Sequence, residues 1–118
     1  MPSFLELRAF TRDWAALGFG DRELVALQEE LLAHPEAGAV IRGTGGLRKV
    51  RFAPPGGGGK RGGVRVLYAL LPAVGVVLLA AVYSKADRAN ISPAERAAAK
   101  RLLTAIAAEL APRSDADA

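Results

Sequence analysis

One stretch limits the possible folds more than any other. Val66–Tyr83 is eighteen residues without a charged side chain, and Pro72 and Gly75 interrupt it near its middle. An unbroken run of that length would approach the lower limit for a helix crossing a bilayer. A helical span would have to satisfy its backbone through the Pro-Gly break, where hydrocarbon offers no partner. Two strands joined by a turn need no such rescue. Val64, Val66 and Tyr68 alternate with Arg65, Leu67 and Ala69, the two-residue period of a strand. Pro72-Ala73-Val74-Gly75 reads as the turn. Val76–Tyr83, rich in valine, reads as a buried central strand. No membrane partner is expected.

The flanking sequence fits the same plan. Val50 and Phe52 alternate with Arg51 and Ala53, which predicts another strand with a charged face. Pro54-Pro55 and the run Gly56–Gly59 exclude helix and mid-strand, so a loop follows. Three strands joined by short connections predict an antiparallel meander. Ser3–Arg8 could supply a short first strand. Phe10, Trp14 and Leu17 recur at helical spacing, and Gly18 ends that run. A second helix is expected from Asp21 as N-cap, with Leu24, Leu27 and Leu31 on one face and His34-Pro35 closing it. Ser92-Pro93-Ala94-Glu95 is a capping box that opens a last helix, with Leu103, Ile106 and Leu110 on its buried side and Pro112 stopping it. Residues 113–118 read as a frayed polar tail after a single domain of residues 1–112. The fold class is α+β, a small antiparallel sheet packed on two N-terminal helices with a C-terminal helix.

Charge narrows the function. The chain carries 16 Lys and Arg, 12 Asp and Glu, and a net charge of +4. Eight of those cations lie between Ala37 and Ala86, where there is no acid at all. A uniformly positive segment inside a mixed chain points to an anionic partner. Glycine clusters with the charge, in Gly43-Thr44-Gly45-Gly46-Leu47-Arg48-Lys49 and again in Gly59-Lys60-Arg61-Gly62-Gly63-Val64-Arg65. Glycine lets backbone N–H groups approach an anion, and arginine can bind two phosphate oxygens at once. A nucleotide-binding P-loop is excluded, because Arg61 follows Lys60 and the upstream glycine position is Pro54.

Other chemistries are thin. No cysteine is present, so disulfides and thiolate chemistry are absent. The single histidine, His34, ends a helix and suits the negative end of its dipole. No cluster has metal-ligand spacing, and no cofactor is expected. The first ten residues carry Glu6 and Arg8 without a long apolar core, so they do not read as a signal peptide, and a cytoplasmic protein is expected. What is left is lysine, arginine and tyrosine. That set can cleave RNA, whose 2′-OH is an internal nucleophile that needs only positioning and charge stabilisation. Crowded cations lower the pKa of a nearby lysine toward a range useful for proton transfer.

Three runs carry a family resemblance. Val40-Ile41-Arg42-Gly43-Thr44-Gly45-Gly46-Leu47-Arg48-Lys49-Val50-Arg51 and Gly59-Lys60-Arg61-Gly62-Gly63-Val64-Arg65-Val66-Leu67-Tyr68 resemble the HigB branch of the RelE/ParE toxin superfamily. Val82-Tyr83-Ser84-Lys85-Ala86-Asp87 is similar to the end of the family's last strand, and Asn90-Ile91-Ser92 leads into a helix as it does there. The resemblance covers residues 10–110. It implies the toxin of a type II toxin–antitoxin system, an endoribonuclease that enters the ribosomal A site and cuts mRNA. It also implies a cognate antitoxin with a helix-turn-helix DNA-binding domain. In this reading Lys49, Arg51, Arg65 and Lys85 form the catalytic set, with Lys49 and Lys85 as candidate proton acceptors. Arg48, Lys60, Arg61 and Tyr68 are further RNA-binding candidates, although Tyr68 and Tyr83 also suit packing within the sheet. Ala86 stands where relatives often carry arginine, and the tyrosine some of them use has no counterpart near Ile91-Ser92. Two alternatives follow from the same residues: a non-catalytic RNA- or ribosome-binding protein, and a ParE-like inhibitor of DNA gyrase. The apolar turn Leu71–Val76 is a candidate antitoxin contact.

Overall fold

The computed structural model describes residues 2–54, 63–84 and 91–112. Lys60, Arg61, Lys85 and the expected tail at 113–118 lie outside the described residues. The chain begins with β1 (Ser3–Glu6) and two helices, α1 (Arg8–Ala16) and α2 (Asp21–Ala33). A short β2 (Ala39–Val40) leads to β3 (Leu47–Phe52), β4 (Val64–Leu71), a 3-10 turn (Pro72–Val74), β5 (Val76–Ser84) and α3 (Pro93–Leu110). The strands form one sheet in the order β1-β5-β4-β3-β2.

The expected meander is β3-β4-β5, and its pairings are antiparallel. The sheet as a whole is mixed, because β1 lies parallel to β5 with Ser3 opposite Val76 and Glu6 opposite Leu79. The reason is in β5 itself. Val77, Leu78 and Leu79 are 4% exposed or less, so both faces of the strand are covered. Such a strand belongs inside a sheet, and β1 takes the edge that a three-strand meander would leave open. The uncharged stretch is therefore a hairpin. Gly75 takes a left-handed φ of 66° to close it. Among the described residues no helix is long and apolar enough to cross a membrane.

Helices cover both faces. Phe10, Trp14, Phe19, Leu27 and Leu31 from the α1–α2 side pack on Phe52, Val64, Val66, Tyr68, Val77, Leu79 and Val82. Trp14 anchors this layer. It stacks on Phe10 at 5.3 Å between ring centroids, lies 4.7 Å from Phe19, and donates its indole N–H to the Gly20 carbonyl. Each such side chain contributes about 1.5–3 kcal/mol on burial. On the other face Leu103 of α3 packs with Leu47, Leu67, Ala69 and Leu78. Ile106 adds to this layer, whereas Leu110 is 38% exposed and lies beyond it.

Two caps were expected. The Ser92–Glu95 box is present, with the Ser92 hydroxyl accepting from the Glu95 N–H and Glu95 accepting from the Ser92 N–H. The cap of α2 falls one residue earlier than expected. Gly20 is the N-cap and Asp21 the first helical residue, with Glu23 accepting the Gly20 N–H at 2.7 Å. His34 closes the helix as its C-cap.

A bulge in β5 breaks the alternation of that strand. Leu67 pairs with Ala81 but Tyr68 pairs with Leu79, so Ala80 is the extra residue. Leu79 and Val82 both reach the α1–α2 core, three residues apart rather than two, while Tyr83 lies on the α3 face. Without the bulge, Tyr83 would have followed Val77 and Leu79 to the opposite side.

Candidate nucleic-acid interface

Strand alternation decides which cations share a face. In β3, Val50 and Phe52 point to the α1–α2 core and Leu47 points to α3. Lys49 and Arg51 alternate with them, so both lie on the α3 face, and both are exposed. In β4, Val64 and Val66 point to the α1–α2 core, which leaves Arg65 on the α3 face with Leu67. Register then builds a row across three strands. Arg51 pairs with Arg65, and Arg65 pairs with Tyr83. One step along, Lys49 pairs with Leu67, which pairs with Ala81. Three of the four proposed catalytic residues thus come together; the fourth, Lys85, lies outside the described residues.

Arg65 is the unusual member of the row. Its Nη1 is buried and has no hydrogen-bond partner among the described residues. Leaving a buried donor unsatisfied costs about 1–3 kcal/mol, and more for a charged group. The arginine directly across from it adds like-charge repulsion. The unsatisfied nitrogen can therefore donate to an anionic oxygen such as that of a phosphate. Half-buried Tyr83 brings a ring and a phenol to the same row. Sequence alternation could not place it there, because the bulge at Ala80 is what turns it over.

Two predicted RNA contacts belong elsewhere. Tyr68 is 0% exposed. Its hydroxyl accepts from the Gly38 N–H at 2.9 Å and donates to the Pro35 carbonyl at 2.7 Å. It fastens the α2–β2 connection to the sheet and has no surface to offer RNA. Gly38 is required there, since a Cβ would sit 2.8 Å from the tyrosine ring. Arg48 points to the face opposite Lys49 and Arg51. Its side chain is 19% exposed, and its Nη1 donates to the carbonyls of Gly38 at 2.7 Å and Glu36 at 3.3 Å. Its role is to hold the same connection.

The first glycine block also serves the fold. Gly43, Gly45 and Gly46 have φ values of 81°, 76° and 119°. Buried Thr44 closes the turn, donating to the Ile41 carbonyl at 2.6 Å and accepting the Leu47 N–H at 3.0 Å. The turn lies against α3: a Cβ on Gly45 would meet Lys100 at 3.2 Å, and one on Gly43 would meet Arg96 at 3.8 Å. The clustering of these glycines with positive charge suggests a phosphate contact. Here they let the turn approach a helix.

No grouping of His, Asp and Glu among the described residues could hold a metal ion. The fold and this face define a small α+β protein with helices on both sides of a mixed sheet and a basic row on its α3 side. No family model matches the chain. Among solved structures it resembles the Escherichia coli toxin RelE, determined in the free state as a double arginine-to-alanine mutant. The TM-score is 0.50 and the identity 19%, over 71% of this chain and 83% of that one. The chain has a RelE-like fold.

Proposed function

We propose that this protein is the toxin of a type II toxin–antitoxin system and cleaves mRNA on the ribosome. The observation that carries this reading is Arg65, whose buried guanidinium nitrogen has no partner among the described residues and which is in register with a second arginine. The RelE-like fold and the HigB-like motif runs support it. The reaction is attack of a ribose 2′-OH on the adjacent phosphate, which forms a 2′,3′-cyclic phosphate and breaks the bond to the 5′-oxygen, the latter taking up a proton from water. Arg65 and Arg51 stabilise charge on the phosphoryl oxygens. Lys49, on the same face, or Lys85 takes the proton from the 2′-OH. Lys60 and Arg61 add contacts to flanking phosphates. Residues 1–112 form the toxin domain, acting in the cytoplasm where ribosomes and the antitoxin are found.

A second reading is non-catalytic RNA or ribosome binding. It is favoured by the small supply of proton acceptors on the described part of the row. Inducible expression separates the two. The wild type should arrest growth and generate new mRNA 5′ ends, and Arg65→Ala combined with Lys85→Ala should abolish both. Arrest that persists in the double variant refutes the site. Arrest with intact mRNA and inhibited gyrase would place the protein on the ParE side instead.

A further inference from the structure

The acid-free positive segment spans residues 37–86, but α3 brings cations of its own. Arg96 donates from Nε to the Ile91 carbonyl at 3.2 Å and from Nη1 to the Arg42 carbonyl at 3.4 Å. The stem of Lys100 lies on Gly45. Arg42 and Lys100 are both exposed. Three cations from distant parts of the chain thus gather at one corner, with Arg96 and Lys100 one helical turn apart on the side of α3 that meets the glycine turn. Among the described residues no carboxylate pairs with Arg42, Arg96 or Lys100. The nearest acid in sequence, Glu95, is engaged by the Ser92 N–H at the helix cap.

This corner joins the basic row. Gly45 precedes β3 by two residues, and Lys49 and Arg51 follow on its α3 face. From Gly45 to Arg51 is at most about 20 Å of extended chain. A polyanion bound at Arg65 could run along β3 and reach Lys100 and Arg42 without crossing an acid in that stretch.

We infer that Arg42, fastened to α3 through Arg96, and Lys100, whose stem lies on Gly45, form a second phosphate-binding surface that continues the RNA path beyond Lys49. The ligand class is the phosphodiester backbone of RNA flanking the cleaved bond, bound by charge rather than by base identity. The inference rests on the RNA reading of the Arg65 row. Arg96 is left unaltered in the test, since its contact with the Arg42 carbonyl ties α3 to the turn. The exposed pair is changed instead, as Arg42→Ala with Lys100→Ala.

The probes are 2′-O-methyl oligonucleotides, which cannot be cleaved by this route, of about four and about sixteen nucleotides. Affinity is read by fluorescence anisotropy over a range of salt. The double variant should bind the long probe about ten-fold more weakly, and its log K against log salt slope should fall by about 1.4, or about 0.7 for each lost contact. The short probe should be unaffected, and Arg42→Lys with Lys100→Arg should bind both like the wild type. An unchanged long-probe affinity and slope overturns the second surface, while weaker binding of both probes by Arg65→Met keeps the primary site. If Arg65→Met also leaves both probes unchanged, the RNA reading fails as well. Loss of polyglutamate binding with RNA binding intact would assign the corner to an acidic protein partner, and overturn the proposal.

Discussion

Arg51 and Arg65 are register partners across β3 and β4, two like charges held side by side on the α3 face. Directly opposed like charges destabilise a sheet, where a favourable cross-strand pair would contribute roughly 0.2–1 kcal/mol. The buried, unpartnered Nη1 of Arg65 adds to the cost. Val64 and Val66 on either side are fully buried in the α1–α2 core. A preorganised cation pair of this kind suits binding of charge that develops during a reaction.

Stability and function should therefore separate at Arg65. Arg65→Met keeps most of the apolar stem and removes both the repulsion and the unsatisfied donor. The variant should be as stable as the wild type or more so, by about 1 kcal/mol in urea unfolding. It should lose RNA affinity and growth arrest. Stability reduced by several kcal/mol would mean that Arg65 serves the fold instead.

Tyr68 should show the reverse pattern. Tyr68→Phe preserves the ring and leaves the Gly38 N–H and the Pro35 carbonyl without their partner. The expected loss is about 1–3 kcal/mol of unfolding free energy. RNA affinity measured well below the melting temperature should not change. A selective loss of RNA binding at unchanged stability would return Tyr68 to the interface.

Acid sensitivity should trace in part to the cap of α2. The Gly20 N–H, then the backbone N–H of Glu23 itself, hold the Glu23 carboxyl below its usual value of 4.5, against a smaller opposing effect of burial. A depressed carboxylate contributes stability that is fully present above its unfolded-state pKa and is lost as pH falls through the folded one. Thermal melts from about pH 7 to about pH 3 should thus show a shallower acid decline in Glu23→Ala than in the wild type. Parallel curves for the two proteins would exclude the cap as a source of that decline.

The sequence by itself determined the elements and much of their pairing. Periodicity located α1, α2, β3, β4, β5 and α3, since one buried face leaves a period of 3.6 or 2 in any chain. The Pro-Gly break made the uncharged stretch a hairpin. Alternation already placed Lys49, Arg51 and Arg65 opposite Val50, Phe52 and Val66. Only the tertiary structure decided the rest, because those features depend on contacts between residues far apart in the chain. The parallel seat of β1 follows from covering an edge that local pattern does not reveal. The bulge at Ala80 turns Tyr83 onto the row, and one inserted residue reverses every facing after it. Tyr68 and Arg48 look like interface residues in a basic stretch, yet the α2–β2 connection captures both. Arg96 and Lys100 join the positive surface only because the glycine turn packs against α3.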